Sequence, residues 1–183
     1  MSISFNEIKK LDQSDPISNF RNEFHFQKKD LLYLDGNSLG RLPKKTIHDL
    51  NSFITEEWGN QLVEGWENWI NEAQVSGDLL AENVLGANSG EVLVCDTTSV
   101  NFFQICLAVV KAASNRKTII TDAANFPTDR YILEGIAKDF GLKLIIIDNE
   151  KTDVDEYERI TPTILKPHLN EDVALVTLSL IHI

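Results

Sequence analysis

Asn125-Phe126-Pro127-Thr128-Asp129-Arg130-Tyr131 places an aromatic plate, a rigid turn former, a hydroxyl and a carboxylate within four successive residues, Phe126 to Asp129. Together these groups can hold a flat, charged heteroaromatic ring. The plate offers a face for stacking, and a carboxylate favours a protonated ring nitrogen. A second group, Cys95-Asp96-Thr97-Thr98-Ser99-Val100-Asn101, stands at the start of an apolar helical run. It carries three consecutive hydroxyls. One hydroxyl is enough to cap a helix. Free backbone N–H groups, the helix dipole and extra hydroxyl donors also make a phosphate site. Both readings stand for Thr98 and Ser99, as they do for Phe126 (core or ring contact) and Asp129 (helix cap or ligand).

Position favours the chemical reading. The 125–131 stretch lies between the apolar run Thr118-Ile119-Ile120-Thr121 and the amphipathic run Ile132 to Phe140. It reads as a strand-to-helix loop at the carboxyl end of a parallel strand, where open α/β sheets bind ligands. Two successive loops of this kind would set Thr98 and Ser99 beside Phe126 and Asp129. One would hold a phosphate while the other holds a ring, and pyridoxal 5'-phosphate satisfies both. There is no G-x-G-x-x-G and no Walker lysine motif, which disfavours dinucleotides and nucleoside triphosphates.

The elements that must position these loops follow from periodicity. The first 30 residues predict a helix and an irregular arm. Pro43 opens a helix carrying Ile47, Leu50, Phe53, Ile54 and Trp58, and another helix carries Trp66, Trp69, Ile70 and Ala73. Ser76-Gly77-Asp78 predicts a break, and Gly86 a stop. Strands are predicted at Glu91–Cys95, Thr118–Thr121, Leu144–Ile147 and Val173–Leu178. Helices are predicted from Val100 to Ala113, apolar on nearly every face, and from Arg130 to Phe140, stopped by Gly141. Asp148 to Asp172 predicts a loop with one helix inside it. Unalternating strands separated by helices indicate an α/β fold with a mostly parallel sheet and helices on both faces. Residues 1–88 form the expected N-terminal arm and helices, and 89–183 the α/β domain. A final strand without its next βα unit reads as a truncated chain.

Composition bounds the function. The 183 residues carry a net charge of −11, which argues against a nucleic-acid or anionic-membrane surface. No apolar run is long enough to suggest a membrane span, and the first residues lack the order of a signal peptide. Cys95 and Cys106 both lie in apolar runs and are expected to be buried, reduced thiols of a cytoplasmic protein. Asp35-Gly36-Asn37-Ser38-Leu39-Gly40 reads from composition as a turn, and Trp58, Trp66 and Trp69 as a helix face. His25, His48 and His168 have no partners at catalytic or ligand spacing, and no metal site is expected.

In their order, these segments resemble the kynureninase family. The resemblance rests on Tyr33-Leu34-Asp35-Gly36-Asn37-Ser38-Leu39-Gly40, Trp58-Gly59 followed by Trp66, Asp96-Thr97-Thr98-Ser99-Val100-Asn101, and Asn125 to Tyr131, and it covers about residues 5 to 178. It implies the first half of the large domain of a fold-type-I pyridoxal-phosphate enzyme that works as a homodimer. The family hydrolyses L-kynurenine and 3-hydroxykynurenine to anthranilate or 3-hydroxyanthranilate and L-alanine, in tryptophan degradation and NAD biosynthesis. By motif matching, Thr98 and Ser99 resemble its phosphate contacts, Phe126 its ring-stacking residue and Asp129 its carboxylate near the pyridinium. Pro127 and Thr128 shape the same loop, and Ser38 and Trp66 match substrate-pocket positions. The family's Schiff-base lysine has no counterpart. The twelve lysines, expected in helices and loops, fit no such motif. No catalytic residue is therefore assigned, and the 183 residues alone are expected to be inactive. Measurable kynurenine turnover by the purified chain would overturn that expectation. A cysteine desulfurase-like enzyme of the same fold and a non-catalytic α/β binding module are the alternatives.

Overall fold

The computed structural model describes residues 3–26, 28, 31–113, 115–148, 150–152 and 155–179. The chain folds as two compact units, Met1–Val75 and Ser76–Ile183. Leu180 to Ile183 lie outside the described residues.

In the first unit, helix α1 (Phe5–Ser14) opens on a capping box. The Ser4 hydroxyl accepts from the Glu7 N–H, and the Glu7 carboxylate accepts from the Ser4 N–H at 2.8 Å, so two helix-start donors are satisfied. A 3-10 turn (Ser18–Glu23) leads into the arm. Phe24 bridges Pro43, and the His25 N–H donates to the Leu42 carbonyl at 2.8 Å. Helix α2 (Lys44–Ser52) passes directly into a π-helix (Phe53–Gln61) and a 3-10 turn (Leu62–Gly65). The expected apolar face of this region is present but uncovered: Ile47, Leu50, Ile54 and Trp58 are all exposed. Gly65 is the one buried residue among those described in this unit.

Two sequence expectations change here. The single helix expected over Trp66 to Ala73 is divided into α3 (Trp66–Trp69) and α4 (Glu72–Leu80). Ser76-Gly77-Asp78 does not interrupt a helix but lies inside α4. Gly77 is buried against the backbone of Val92 and Leu93, and a Cβ there would overlap the Val92 carbonyl oxygen. The glycine permits a close approach and is not a breaker. A π-turn (Ala81–Leu85) ends at Gly86, whose φ of 66° is the left-handed stop expected there.

The second unit holds α5 (Thr98–Ala112), β1 (Thr118–Asp122), α6 (Pro127–Phe140) and β2 (Lys143–Ile147). It continues with β3 (Glu150–Thr152), β4 (Asp155–Arg159), α7 (Pro162–Leu165) and β5 (Val173–Thr177). The expected α/β class is the one found. A three-stranded sheet has the order β2-β1-β5 with both pairings parallel. Central β1 is buried along its whole length. Successive strand residues face opposite ways, so Ile119 and Ile120 enter different cores. Ile119 packs with Cys106, Val110, Leu133, Ile136 and Ala137 of α5 and α6. Ile120 packs with Ile147 and Val173, against which Ile160, Ile164 and Leu165 are laid. Fully burying one such isoleucine contributes about 1.5–3 kcal/mol.

Other expectations are corrected. Glu91–Cys95 is not a strand: no strand among the described residues pairs with it, and Leu93 and Val94 are exposed. The Glu91 N–H and the Cys95 carbonyl bond locally instead, to the Asn88 carbonyl and the Asn101 side chain, and not to a ladder. Helix α5 is covered on one side only, with Cys106 and Val110 buried while Val100, Phe103 and Ile105 are exposed. Cys95 is exposed, and only Cys106 matches the expected buried thiol. The 148–172 segment contains the antiparallel pair β3–β4 besides α7. Lys143 and Lys151 lie in strands, not in helices or loops.

Candidate functional site

Asp96, with φ 48°, turns the chain into α5. Thr97 is the N-cap, and its hydroxyl accepts from the Val100 N–H at 3.3 Å. The Asn101 side chain closes the loop by donating to the Cys95 carbonyl at 2.8 Å. Capping therefore falls to Thr97. Thr98 is exposed and Ser99 half-buried in the first turn, and among the described residues neither hydroxyl has a hydrogen-bond partner.

The second loop leaves the carboxyl end of β1. Phe126 is the N-cap of α6 without a side-chain cap, Pro127 follows at the helix start, and Asp129 is the acidic residue of the first turn. Proline's fixed φ suits that position, and the carboxylate suits the positive end of the helix dipole. The Phe126 ring is 48% exposed, so it is not core. Thr128 and Asp129 are half-buried, while Pro127 is exposed. Burial raises the Asp129 carboxyl above its ordinary value. Burial also pushes the Cys106 thiol up to about 11, with the Asp129 charge adding to the push. Asp129 thus acts on α5 near Cys106. That lies eight residues beyond Thr98, or about 12 Å of helical rise. Helices α5 and α6 bring Thr98, Ser99, Phe126, Pro127, Thr128 and Asp129 into one unit, and no hydrogen bond joins the two loops among the described residues.

Ser38 and Trp66 belong to the first unit. Ser38 sits exposed in a turn where the Leu39 N–H donates to the Asp35 carbonyl at 3.3 Å. The Tyr33 hydroxyl donates to the Leu39 carbonyl at 2.6 Å, and the Arg41 guanidinium lies 5.1 Å from the Tyr33 ring. Trp66 is 60% exposed and tilted against Trp69, with ring centroids 6.1 Å apart. Trp69 is the structural member of the pair. Its indole donates to Glu57 at 3.0 Å and packs on Phe53.

No family model matches the chain. Curated relatives do. A kynureninase of Pseudomonas fluorescens is 34% identical over 173 residues, covering 90% of this chain and 41% of that protein. A kynureninase of Deinococcus radiodurans is 41% identical over 141 residues, covering 74% and 34% respectively. Over these spans the chain belongs to the kynureninase family. A third kynureninase, from Burkholderia pseudomallei, is 33% identical over 168 residues, covering 87% of this chain and 40% of its own length. The chain thus spans between about a third and two fifths of the length of these kynureninases.

The kynureninase resemblance was legible in motifs whose neighbours were not. Asn125 carries no signal of its own in the motif, yet it is 4% exposed and bonded on both sides. Its Nδ2 donates to the Thr121 hydroxyl at 2.8 Å, and its Oδ1 accepts from the Phe126 N–H at 2.7 Å. Arg130 also ties the loop down, donating to the Ala123 carbonyl at 3.1 Å. The available sequence signal was an asparagine before a proline-opened helix, a residue type that bonds its local backbone.

Proposed function

We propose that this chain supplies one wall of a pyridoxal 5'-phosphate site in a kynureninase-like hydrolase. The observation that carries the reading is the division of labour at the start of α5. Thr97 caps the helix through the Val100 N–H, which leaves the Thr98 and Ser99 hydroxyls and their own backbone N–H groups available to an anion. The second loop adds groups of the right chemistry, an exposed aromatic ring at Phe126 and a half-buried carboxylate at Asp129.

In this reading Thr98 and Ser99 take the phosphate, Phe126 lies on a face of the pyridine ring, and Asp129 holds the proton of the ring nitrogen. Partial burial of Asp129 strengthens its attraction to a cationic ring, because screening by water is reduced. Pro127 and Thr128 fix the loop that carries both groups. Ser38 and Trp66 serve the substrate pocket. The bound cofactor supplies an electron sink for carbanion chemistry. The reaction proposed is hydrolysis of L-kynurenine, and of 3-hydroxykynurenine, to anthranilate or 3-hydroxyanthranilate and L-alanine. It belongs to tryptophan degradation and NAD biosynthesis, in a cytoplasmic homodimer. The kynureninase relatives support this over a desulfurase.

The test is binding first. Pyridoxal 5'-phosphate titrated into the chain should bind saturably, and Phe126→Ala and Thr98→Ala should each weaken it by about tenfold, the scale of one aromatic contact or one charge-assisted hydrogen bond. Extracts of cells expressing the gene at its own locus should release anthranilate from L-kynurenine and no sulfide from L-cysteine. Sulfide release would favour the desulfurase alternative, and absence of saturable binding would sink the cofactor reading.

A further inference from the structure

A line of side-chain contacts runs from β5 to the ring-bearing loop. The Thr177 hydroxyl on β5 lies 3.4 Å from the Thr121 hydroxyl on β1, the two strands being paired in register at these positions. Thr121, fully buried, accepts from Asn125 Nδ2 at 2.8 Å, and Asn125 Oδ1 accepts the Phe126 N–H at 2.7 Å. The Asn125 N–H also donates to the Asp122 carbonyl at 3.2 Å, which closes the turn between β1 and α6.

We infer that Asn125, held by Thr121, is a positioning residue that sets the orientation of Phe126 for ring binding. This rests on the cofactor reading proposed above. In a capping box the N-cap N–H is bonded by the side chain three residues on, and among the described residues no such bond joins Asp129 to the Phe126 N–H. Asn125 supplies the missing acceptor one residue upstream. An amide serves both partners at once, its Nδ2 donating to the hydroxyl and its Oδ1 accepting the backbone N–H, and an aliphatic chain can do neither. Because Asn125 is buried, its bonds are shielded from competing water, and losing one partner leaves a buried polar group unpaired. Thr121 is the better test position. A valine there keeps the branched shape and removes the acceptor.

The experiment compares the unsubstituted chain with Thr121→Val, Thr121→Ser and Thr177→Val by two measurements. Hydrogen exchange at the Phe126 amide, without cofactor, reads the loop geometry. Titration with pyridoxal 5'-phosphate reads the site. Thr121→Val should lower protection of the Phe126 amide and weaken cofactor binding by about fivefold to tenfold, the scale of one hydrogen bond with its partner left unpaired. Thr121→Ser restores the hydroxyl and should return both readouts to the parent values. Thr177→Val, which removes only the outermost and longest contact, should have a smaller effect in the same direction and serves if Thr121→Val does not fold. Lost protection with unchanged cofactor affinity overturns the positioning role, since the contacts would then be purely structural. Unchanged protection overturns it as well. Failure of the unsubstituted chain to bind the cofactor sinks the underlying reading, and with it the positioning role, whatever the amide exchange shows.

Discussion

Asp129 and Cys106 couple two helices through one charge. Burial is the larger cause of the raised Cys106 thiol, and the Asp129 carboxylate adds to it. The folded chain therefore keeps a proton that the unfolded chain releases above the ordinary value of 9.0. The stability that this protects is complete below pH 9.0 and is lost as pH rises toward about 11. Asp129→Asn removes the neighbouring negative charge. It should lower the Cys106 titration midpoint and soften the alkaline loss of stability, as read by thiolate absorbance and by thermal midpoint against pH. An unmoved midpoint would show that Asp129 does not reach Cys106. At neutral pH the folded chain should offer one fast-reacting thiol, Cys95, because Cys106 is buried and protonated. Sequence did not separate the two. Both cysteines lie in apolar runs, and only the sheet decides which run is covered.

At the scale of elements, boundaries are legible in the sequence where a stop signal coincides with a change of period. Gly86 and Gly141 both end helices at positive φ, and β1, β2 and β5 lie where continuous apolar runs put them. An element that depends on a distant neighbour is not legible in this way. Glu91–Cys95 has the composition of a strand and, among the described residues, no strand beside it, and β3–β4 is too polar to show alternation. At Gly77 the residue type is visible in the sequence, but the backbone approach that requires it is not. A glycine within a helix usually costs stability, yet here it admits the Val92 backbone. Gly77→Ala, which would raise helix propensity at an open position, should instead destabilise by about 1–3 kcal/mol through overpacking. Denaturant unfolding checks the sign, and a stabilised variant would show that the 92–93 segment does not rest on α4. Hydroxyls, ring and carboxylate could be read from order and spacing, but the assignment of capping to Thr97 and the buried setting of Asn125 required the fold.

Across the whole molecule, charge and apolar surface oppose each other. The net charge is −11, while Leu32, Leu34, Val63, Trp58 and Trp66 are among many large apolar side chains left in solvent. Exposed apolar area favours association, and like charge on every copy resists it. The balance depends on salt. Between ~0.01 M and ~0.15 M ionic strength the screening length falls from about 30 Å to about 8 Å, which shortens the repulsion between copies without weakening apolar contacts. Self-association of the chain should therefore rise with salt at constant protein concentration, as measured by sedimentation velocity. Assembly held together by complementary charges would do the opposite and dissolve as salt is added. Leu32→Lys and Leu34→Lys distinguish the two terms further. Each removes an apolar group and also reduces the net negative charge, so if charge repulsion governed the balance the variants would associate more. If uncovered apolar surface governs it, they should associate less at every salt concentration, and the difference from the parent chain should be largest at high salt, where the charge change is screened.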